Sequence, residues 1–173
     1  MIWKTGYSFW LSIDGWKERG MKVIYHCYGG SHSSVIAAAI HVGIIPPQSP
    51  PPKEVFWACP LFDQGNPENH GIIHLVGIDE EGNKVYSMGR RGSFPLLRNS
   101  LRGVLEIMRL DPHGIYFVDT LPYVNLEMRI GGFLSRQWGL ISLGRPLVVR
   151  GSQKVFYKLV RLVEGVKKDL KKG

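Results

Sequence analysis

Residues 21–40 read MKVIYHCYGGSHSSVIAAAI, and this stretch decides the fold class. The β-branched and aromatic run at 22–27 predicts a strand. The apolar run at 33–43 predicts a helix that is buried on nearly all sides. A short turn rich in Gly and Ser joins the two. A strand that leads through such a turn into a helix is typical of an α/β fold.

Strands and helices alternate along the rest of the chain. The proline-rich residues 46–52 predict an extended connector, because proline cannot continue a helix. Two strand-like runs, 72–78 and 84–88, flank a polar turn and predict a β-hairpin. The other predicted elements are a short helix within 53–64, helices at 94–108 and 125–138 with Ser93 and Asn125 as N-caps, strands at 115–119 and 147–149, and a last helix capped by Ser152. The sequence therefore predicts a three-layer α/β fold, with a mostly parallel sheet and an inserted antiparallel β-hairpin.

Length and composition predict one domain with a separate leader and tail. A chain of 173 residues can bury one substantial core. Residues 1–20 hold three tryptophans without a clear period, so we interpret them as a non-native or flexible leader before a natural start at Met21. A short amphipathic segment that packs on the domain is the alternative. The single α/β domain is expected at 21–166, and residues 167–173 are expected to form a solvated basic tail.

Composition also narrows the setting in which the protein works. No apolar run reaches the roughly 18–20 residues that span a bilayer, so no membrane span is expected. Two cysteines make no disulfide framework, which favours a reducing, cytoplasmic location. The net charge is +8, to which residues 167–172 contribute four lysines against one aspartate. The remaining positive charge suits anionic ligands and is a weak argument for nucleic acid.

The turn after the first strand predicts an anion site. A small turn that opens a helix presents free backbone N–H groups at the positive end of the helix dipole, and such turns bind phosphate. The same field would favour the thiolate of Cys27. His32 could contact a phosphate or activate the thiol. Two alternatives stay open: anion binding without covalent chemistry, and a tight turn around an inert cysteine.

The candidate site lies where the strands end, because parallel sheets bind ligands at their carboxyl edge. Three segments are expected to meet there: the Cys27 turn, Asp119–Thr120 and residues 150–152. Asp119 is a candidate acid–base group. The residues predicted to bind the ligand are Tyr28, Gly29, Gly30, Ser31, Ser33, Arg90, Arg91, Arg129, Arg150 and Ser152. His70 and His74 lack a third residue at metal-site spacing, so no metal site is predicted, and the sequence identifies no cofactor.

The string from Cys27 to Ser34, followed by an alanine-rich helix, resembles the phosphate loop of low-molecular-weight protein tyrosine phosphatases. That family places a cysteine, five residues, an arginine and a serine after its first strand. The resemblance implies that Cys27 is a nucleophile, that Ser34 assists the leaving thiolate and that Asp119 is a general acid. Ser33 stands where that family has its arginine. The cation that stabilises the phosphoryl group would then come from elsewhere in the chain: Arg90, Arg91, Arg129 or Arg150.

Two further resemblances concern the turn and the rest of the chain. The turn is similar to the phosphocysteine loop of sugar-phosphotransferase enzyme-two B subunits, which has no arginine, and Cys27, Gly30 and Ser34 match its spacing. Residues 117–120 and 131–136 are similar to an uncharacterised protein family of spore-forming Gram-positive bacteria. That similarity runs from Met21 to about Val163 and implies no mechanism.

The leading functional hypothesis is binding of a phosphorylated small molecule or nucleotide at residues 27–34. Hydrolysis or transfer of the phosphoryl group would proceed through Cys27, with His32 and Ser34 assisting. The rival hypothesis is a non-catalytic binding or regulatory protein that senses a phosphate or nucleotide with the same turn. Nucleic-acid binding is a third and weaker hypothesis, which predicts a steep loss of affinity with salt. Whether the protein is an enzyme is left open by its sequence.

Overall fold

The computed structural model describes residues 20–59, 61–64 and 70–172. The predicted leader, apart from Gly20, lies outside the described residues. The elements follow the order β1 (Lys22–Cys27), α1 (Ser33–His41), α2 (Lys53–Ala58), β2 (Ile73–Ile78), β3 (Lys84–Gly89), α3 (Phe94–Ile107), β4 (Ile115–Asp119), a 3₁₀ turn (Leu121–Tyr123), α4 (Leu126–Arg136) and α5 (Ile141–Leu170). No helix in the described ranges is long and apolar enough to cross a membrane.

The four strands form one mixed sheet in the order β2-β3-β1-β4. The central strand β1 runs parallel to both β3 and β4. The edge strand β2 runs antiparallel to β3 and forms the predicted hairpin with it. The predicted α/β class, with a mostly parallel sheet and an antiparallel hairpin, is therefore confirmed. This order brings the carboxyl ends of β1, β3 and β4 to the same edge of the sheet.

Helices cover the two faces of the sheet unequally. Alternate residues of β1, Val23 and Tyr25, are fully buried in the main core, to which α1 and α5 contribute most of the other side chains. On the opposite face, His26 stacks on Phe94 of α3 with ring centroids 4.1 Å apart. Phe94 also meets Phe117 of β4 edge to face. The core therefore lies mainly between the sheet and the α1–α5 pair.

The predicted strand at 147–149 is wrong, because these residues lie inside the 30-residue helix α5. The flanking Gly144 and Gly151 are contact points with α4 and not turns. A Cβ at Gly144 would lie 2.5 Å from the carbonyl oxygen of Gly131, and a Cβ at Gly151 would lie 2.9 Å from the backbone nitrogen of Met128. Ser152 lies within the helix and does not cap it, so the segment 150–152 does not follow a strand.

The carboxyl-terminal part of α5 reaches back to the turn of the hairpin. The helix continues through the basic residues to Leu170. Lys167 pairs with Glu80 at 3.3 Å, and Lys171 pairs with Glu81 at 3.0 Å. These exposed pairs contribute little energy individually, but they attach the end of the helix to the β2–β3 turn.

A buried polar network joins the end of α1 to the same hairpin turn. The Tyr25 hydroxyl lies 2.7 Å from Nδ1 of His41, and Nε2 of His41 lies 3.0 Å from Asp79. Asn83 donates to Asp79 from both its backbone and its side chain, and its Oδ1 accepts from the Met21 amide. Each buried polar group of the network thus has a partner, as burial requires.

We predict that Gly144→Ala lowers the free energy of unfolding by about 1–3 kcal/mol, because the added methyl overpacks the α4–α5 contact. The matched control is Gly165→Ala in the same helix, where nothing lies within 4 Å of the new Cβ. That control should stabilise the protein by up to about 1 kcal/mol through helix propensity. Urea titration measures both values, and equal effects of the two substitutions would contradict the close contact.

We also predict that stability falls as the pH drops from 6.5 toward 4. Burial lowers the pKa of His26 from 6.5 to about 4, and the charge of Arg90 acts in the same direction while Asp119 opposes it. Burial also lowers the pKa of His41. The unfolded chain therefore binds more protons than the folded chain in this range, so acid favours unfolding. Urea midpoints measured at several pH values test this, and a constant midpoint between pH 7 and 4.5 would refute it.

Candidate functional site

A cavity of about 360 Å³ opens at the carboxyl edge of the sheet. The turn after β1 forms one side, and α4 with the 3₁₀ turn forms the other. Its lining from the β1 turn consists of Cys27, Tyr28, Gly29, Ser31 and His32. Across the cavity it is lined by Leu121, Val124, Met128, Arg129, Gly132, Phe133, Arg136 and Gln137, and His70 contributes at the margin. The location agrees with the edge at which the sequence predicted a site.

The sulfur of Cys27 has two hydrogen-bond partners at the base of this cavity. The side chain is only 4% exposed. The amide of Gly30 donates to Sγ at 3.1 Å, and the hydroxyl of Ser34 lies 3.3 Å from it. The Ser87 hydroxyl of β3 lies 3.0 Å from the Ser34 oxygen and 3.3 Å from the carbonyl oxygen of Gly30, so it links Ser34 to the turn. The Cys27 sulfur and the Ser34 hydroxyl are therefore within hydrogen-bond distance, while the role predicted for Ser34 stays a prediction.

Backbone contacts with the end of β3 set the shape of the turn. Gly30 has φ +72°, and a Cβ there would lie 2.4 Å from the amide nitrogen of Gly89, so only glycine fits. The amides of Arg90 and Arg91 donate to the carbonyls of Cys27 and Tyr28. The turn therefore rests against the β3 loop along its backbone.

Several amides of the turn are left without protein acceptors. Within the described part of the chain, the backbone N–H groups of Gly29, Ser31 and His32 donate to none. All three residues line the cavity. An anion placed there could accept from amides of this kind at the start of α1.

Ser33, which the sequence predicted to bind the ligand, instead contacts another side chain of the protein. It is fully buried, and its hydroxyl lies 3.0 Å from that of Thr120, which donates to the carbonyl of His26. Its side chain therefore ties the turn to the end of β4. Ser33 does not line the cavity.

Asp63 is the principal site residue that the sequence reasoning missed. Its carboxylate is 1% exposed and is surrounded by four donors. Those donors are His32 Nε2 at 3.1 Å, Ser135 Oγ at 2.9 Å, Arg136 Nε at 3.1 Å and Arg145 Nε at 3.0 Å. Burial alone would raise the pKa of Asp63, but the bonds from His32 and Ser135 and the charge of Arg136 outweigh it and lower the pKa to about 2. The carboxylate is therefore ionised and fixes His32 by its Nε2 atom.

Two arginines of α4 line the cavity on the side opposite the turn. Arg129 and Arg136 are seven residues apart, so they lie two turns apart on one face of the helix. Arg129, which the sequence predicted, has no side-chain partner in the described ranges. Arg136 was missed, although its spacing from Arg129 on a predicted helix was a usable signal. Gly132 lies between them, and a Cβ there would be 2.9 Å from Cε1 of His32.

The other predicted residues lie outside the cavity lining. Arg90 donates to Asp119 at 2.9 Å and to His26, on the sheet face opposite Cys27. Asp119 also accepts from the Leu121 amide, so its carboxylate caps the 3₁₀ turn. The geometry therefore does not bring Asp119 and Cys27 together.

Arg91, Arg150 and Ser152 are also placed apart from the cavity. Arg91 contacts His70 at the margin through a bond of 3.3 Å. Arg150 is exposed on α5, with its Nε 3.6 Å from Glu127, and Ser152 is fully buried in the same helix. The expectation that 150–152 joins the site depended on the strand at 147–149 and is wrong for that reason.

We predict that Asp63→Asn destabilises the protein, because it leaves two arginines facing a neutral group. The loss should lie toward the lower end of the roughly 3–5 kcal/mol typical of broken buried pairs, since the partly exposed arginines can turn to water. In the wild type this stabilisation is present above pH 3.8 and is lost as the pH falls toward about 2. Urea unfolding at pH 7 measures the effect. The exposed Glu164→Gln is the control, and a loss no larger than that of this control would count against a buried ion-pair cluster.

One family model matches most of the chain. It is described as "Protein of unknown function (DUF3189)" and matches residues 22–168. No curated protein and no solved structure matches the chain significantly. The similarity to an uncharacterised family, which was expected from Met21 to about Val163, is thereby confirmed as a match to a family of unknown function. The chain belongs to the DUF3189 family of proteins of unknown function.

Proposed function

We propose that the protein binds a phosphate-bearing small molecule or nucleotide in the cavity above the 27–34 turn. One observation carries the proposal: residues of the turn whose amides have no protein acceptor in the described part of the chain line a cavity whose opposite side supplies Arg129 and Arg136. Amides at a helix start together with arginines are the groups that proteins use for phosphate. No carboxylate lines the cavity in the described part of the chain.

In this proposal the arginines of α4 take the place of the loop arginine, which the phosphatases have and this chain lacks. Ser33 occupies that loop position and is bonded to Thr120 beneath the turn. Arg136 is oriented by Asp63 through Nε, and its Nη2 atom is buried beside the cavity without a hydrogen-bond partner. A planar guanidinium can contact two phosphate oxygens at once. The cation is thus supplied across the cavity and not from within the turn.

In the same proposal Cys27 transfers the phosphoryl group. The thiolate attacks phosphorus, an S–P bond forms, and the P–O bond to the leaving group breaks. His32, held by Asp63, gives the leaving oxygen its proton and then takes one from the attacking water. Water cleaves the S–P bond and releases inorganic phosphate, and the restored thiolate is stabilised by the Gly30 amide and the Ser34 hydroxyl.

The second candidate is a non-catalytic phosphate or nucleotide sensor. Two observations favour it: Cys27 is almost fully enclosed, and Asp119, the general acid implied by the resemblance, is engaged with Arg90 on the other sheet face. The same cavity would then hold the ligand without turnover. A cytoplasmic location and occurrence in spore-forming bacteria stay predictions in either case.

We predict that phosphate esters bind to the wild type and that Arg129→Ala weakens binding about tenfold or more, because a charge-assisted contact is lost. Calorimetry with inorganic phosphate, ribose 5-phosphate, p-nitrophenyl phosphate and AMP measures the affinity. Arg150→Ala removes an exposed arginine outside the cavity and is the matched control. Absence of binding for every phosphate compound would refute the proposed function.

Turnover separates the two candidates. Release of phosphate by the wild type, with none from Cys27→Ser that still binds, is the expected result for the covalent mechanism. Equal release by the wild type and the variant would exclude Cys27 as nucleophile. Binding without release in both proteins would support the sensor.

A further inference from the structure

The wall of the cavity opposite the turn is apolar. It is formed by Leu121 of the 3₁₀ turn, by Val124 just after that turn, and by Met128 and Phe133 of α4, beside the two arginines. Phosphate does not need such a wall, because its oxygens are served by the amides and guanidinium groups. We therefore use the apolar wall to infer the chemistry of the organic part of the ligand.

This apolar wall continues outside the cavity onto the protein surface. Phe133 lines the cavity and is yet 50% exposed. The ring of Phe133 lies 5.3 Å from that of Trp138, which is 64% exposed. Ile130, which lies about one turn before Phe133 on α4, is 46% exposed. The same stretch of sequence, 126–143, holds four more large exposed apolar residues: Leu126, Leu140, Ile141 and Leu143. We call Ile130, Phe133 and Trp138 the apolar rim.

The charges around the rim suit an anionic head group. Arg129 lines the cavity together with Phe133 of the rim and has no side-chain partner in the residues that the structure describes. The nearby acidic residue Glu127 is already paired with Lys154 at 2.6 Å. A molecule that enters over the rim therefore passes from an apolar surface to a cationic cavity.

We propose that the ligand is an amphiphilic phosphate monoester, whose phosphate occupies the turn and whose apolar chain leaves across Phe133 onto the rim. This inference rests on the proposed function and narrows its ligand class. A polyol or ribose phosphate would leave the wall and the rim in water. An alkyl or isoprenoid chain would cover both and gain from the burial of apolar area.

Alkyl phosphates of increasing chain length, used below their micelle-forming concentrations, test whether the apolar part of the ligand contributes to binding. We expect affinity to rise roughly fourfold per methylene from ethyl to octyl phosphate until the rim is covered. Inorganic phosphate should compete with each of them. Trp138→Ser should flatten the dependence on chain length without abolishing competition by phosphate. The control is Ile107→Ser, which removes an exposed apolar side chain from α3.

The outcomes separate this inference from the proposed function. Equal affinity for ethyl and octyl phosphate, with phosphate still competing, would overturn the amphiphile and leave phosphate binding standing. Octanol binding as tightly as octyl phosphate would overturn both. Vesicles distinguish the source: binding to phosphatidic acid vesicles but not to phosphatidylglycerol vesicles supports a bilayer lipid. Binding of octyl phosphate alone supports a dissolved amphiphile.

Discussion

The ionised carboxylate of Asp63 joins parts of the chain that are far apart in sequence. It accepts from His32 at the start of α1, from Ser135 and Arg136 of α4, and from Arg145 of α5. A buried charge is tolerated only where it is paired and hydrogen-bonded, so these elements must meet at one point. The Asp63 amide also donates to Ser31, which binds the same segment to the turn. The cavity exists because these contacts hold its two sides in fixed positions.

Paired glycines set how closely α4 approaches its neighbours. Gly131 meets Gly144 of α5 backbone to backbone, while Gly132 leaves room for the ring of His32. Side chains at these positions would hold α4 away from both, and its arginines would stand farther from the turn. The helix can thus present cationic groups to a turn that lacks an arginine of its own.

The sequence predicted correctly those elements whose signals lie within one short stretch of the chain. Residues 21–40 and the hairpin carry their own periodicity and turn residues, and both formed as expected. The run at 147–149 is too short and apolar for periodicity to separate strand from buried helix, and the contact that decides it, glycine against α4, is remote in sequence. For the same reason the turn at Cys27 was predicted and Asp63 was missed, since no neighbour marks Asp63 as a buried ion. Arg136 acquires its place only when α4 docks.

The length of α5 has a mechanical consequence. Thirty residues at about 1.5 Å each make a rod of roughly 45 Å. One end holds Arg145 against Asp63, and the other holds Lys167 and Lys171 against the hairpin turn. The helix thus runs from the carboxyl ends of the parallel strands, where Asp63 lies, to the hairpin turn at their amino ends. Between these ends α5 packs in one core with α1 and the sheet, so the chain should open as one cooperative unit and not by fraying from one side.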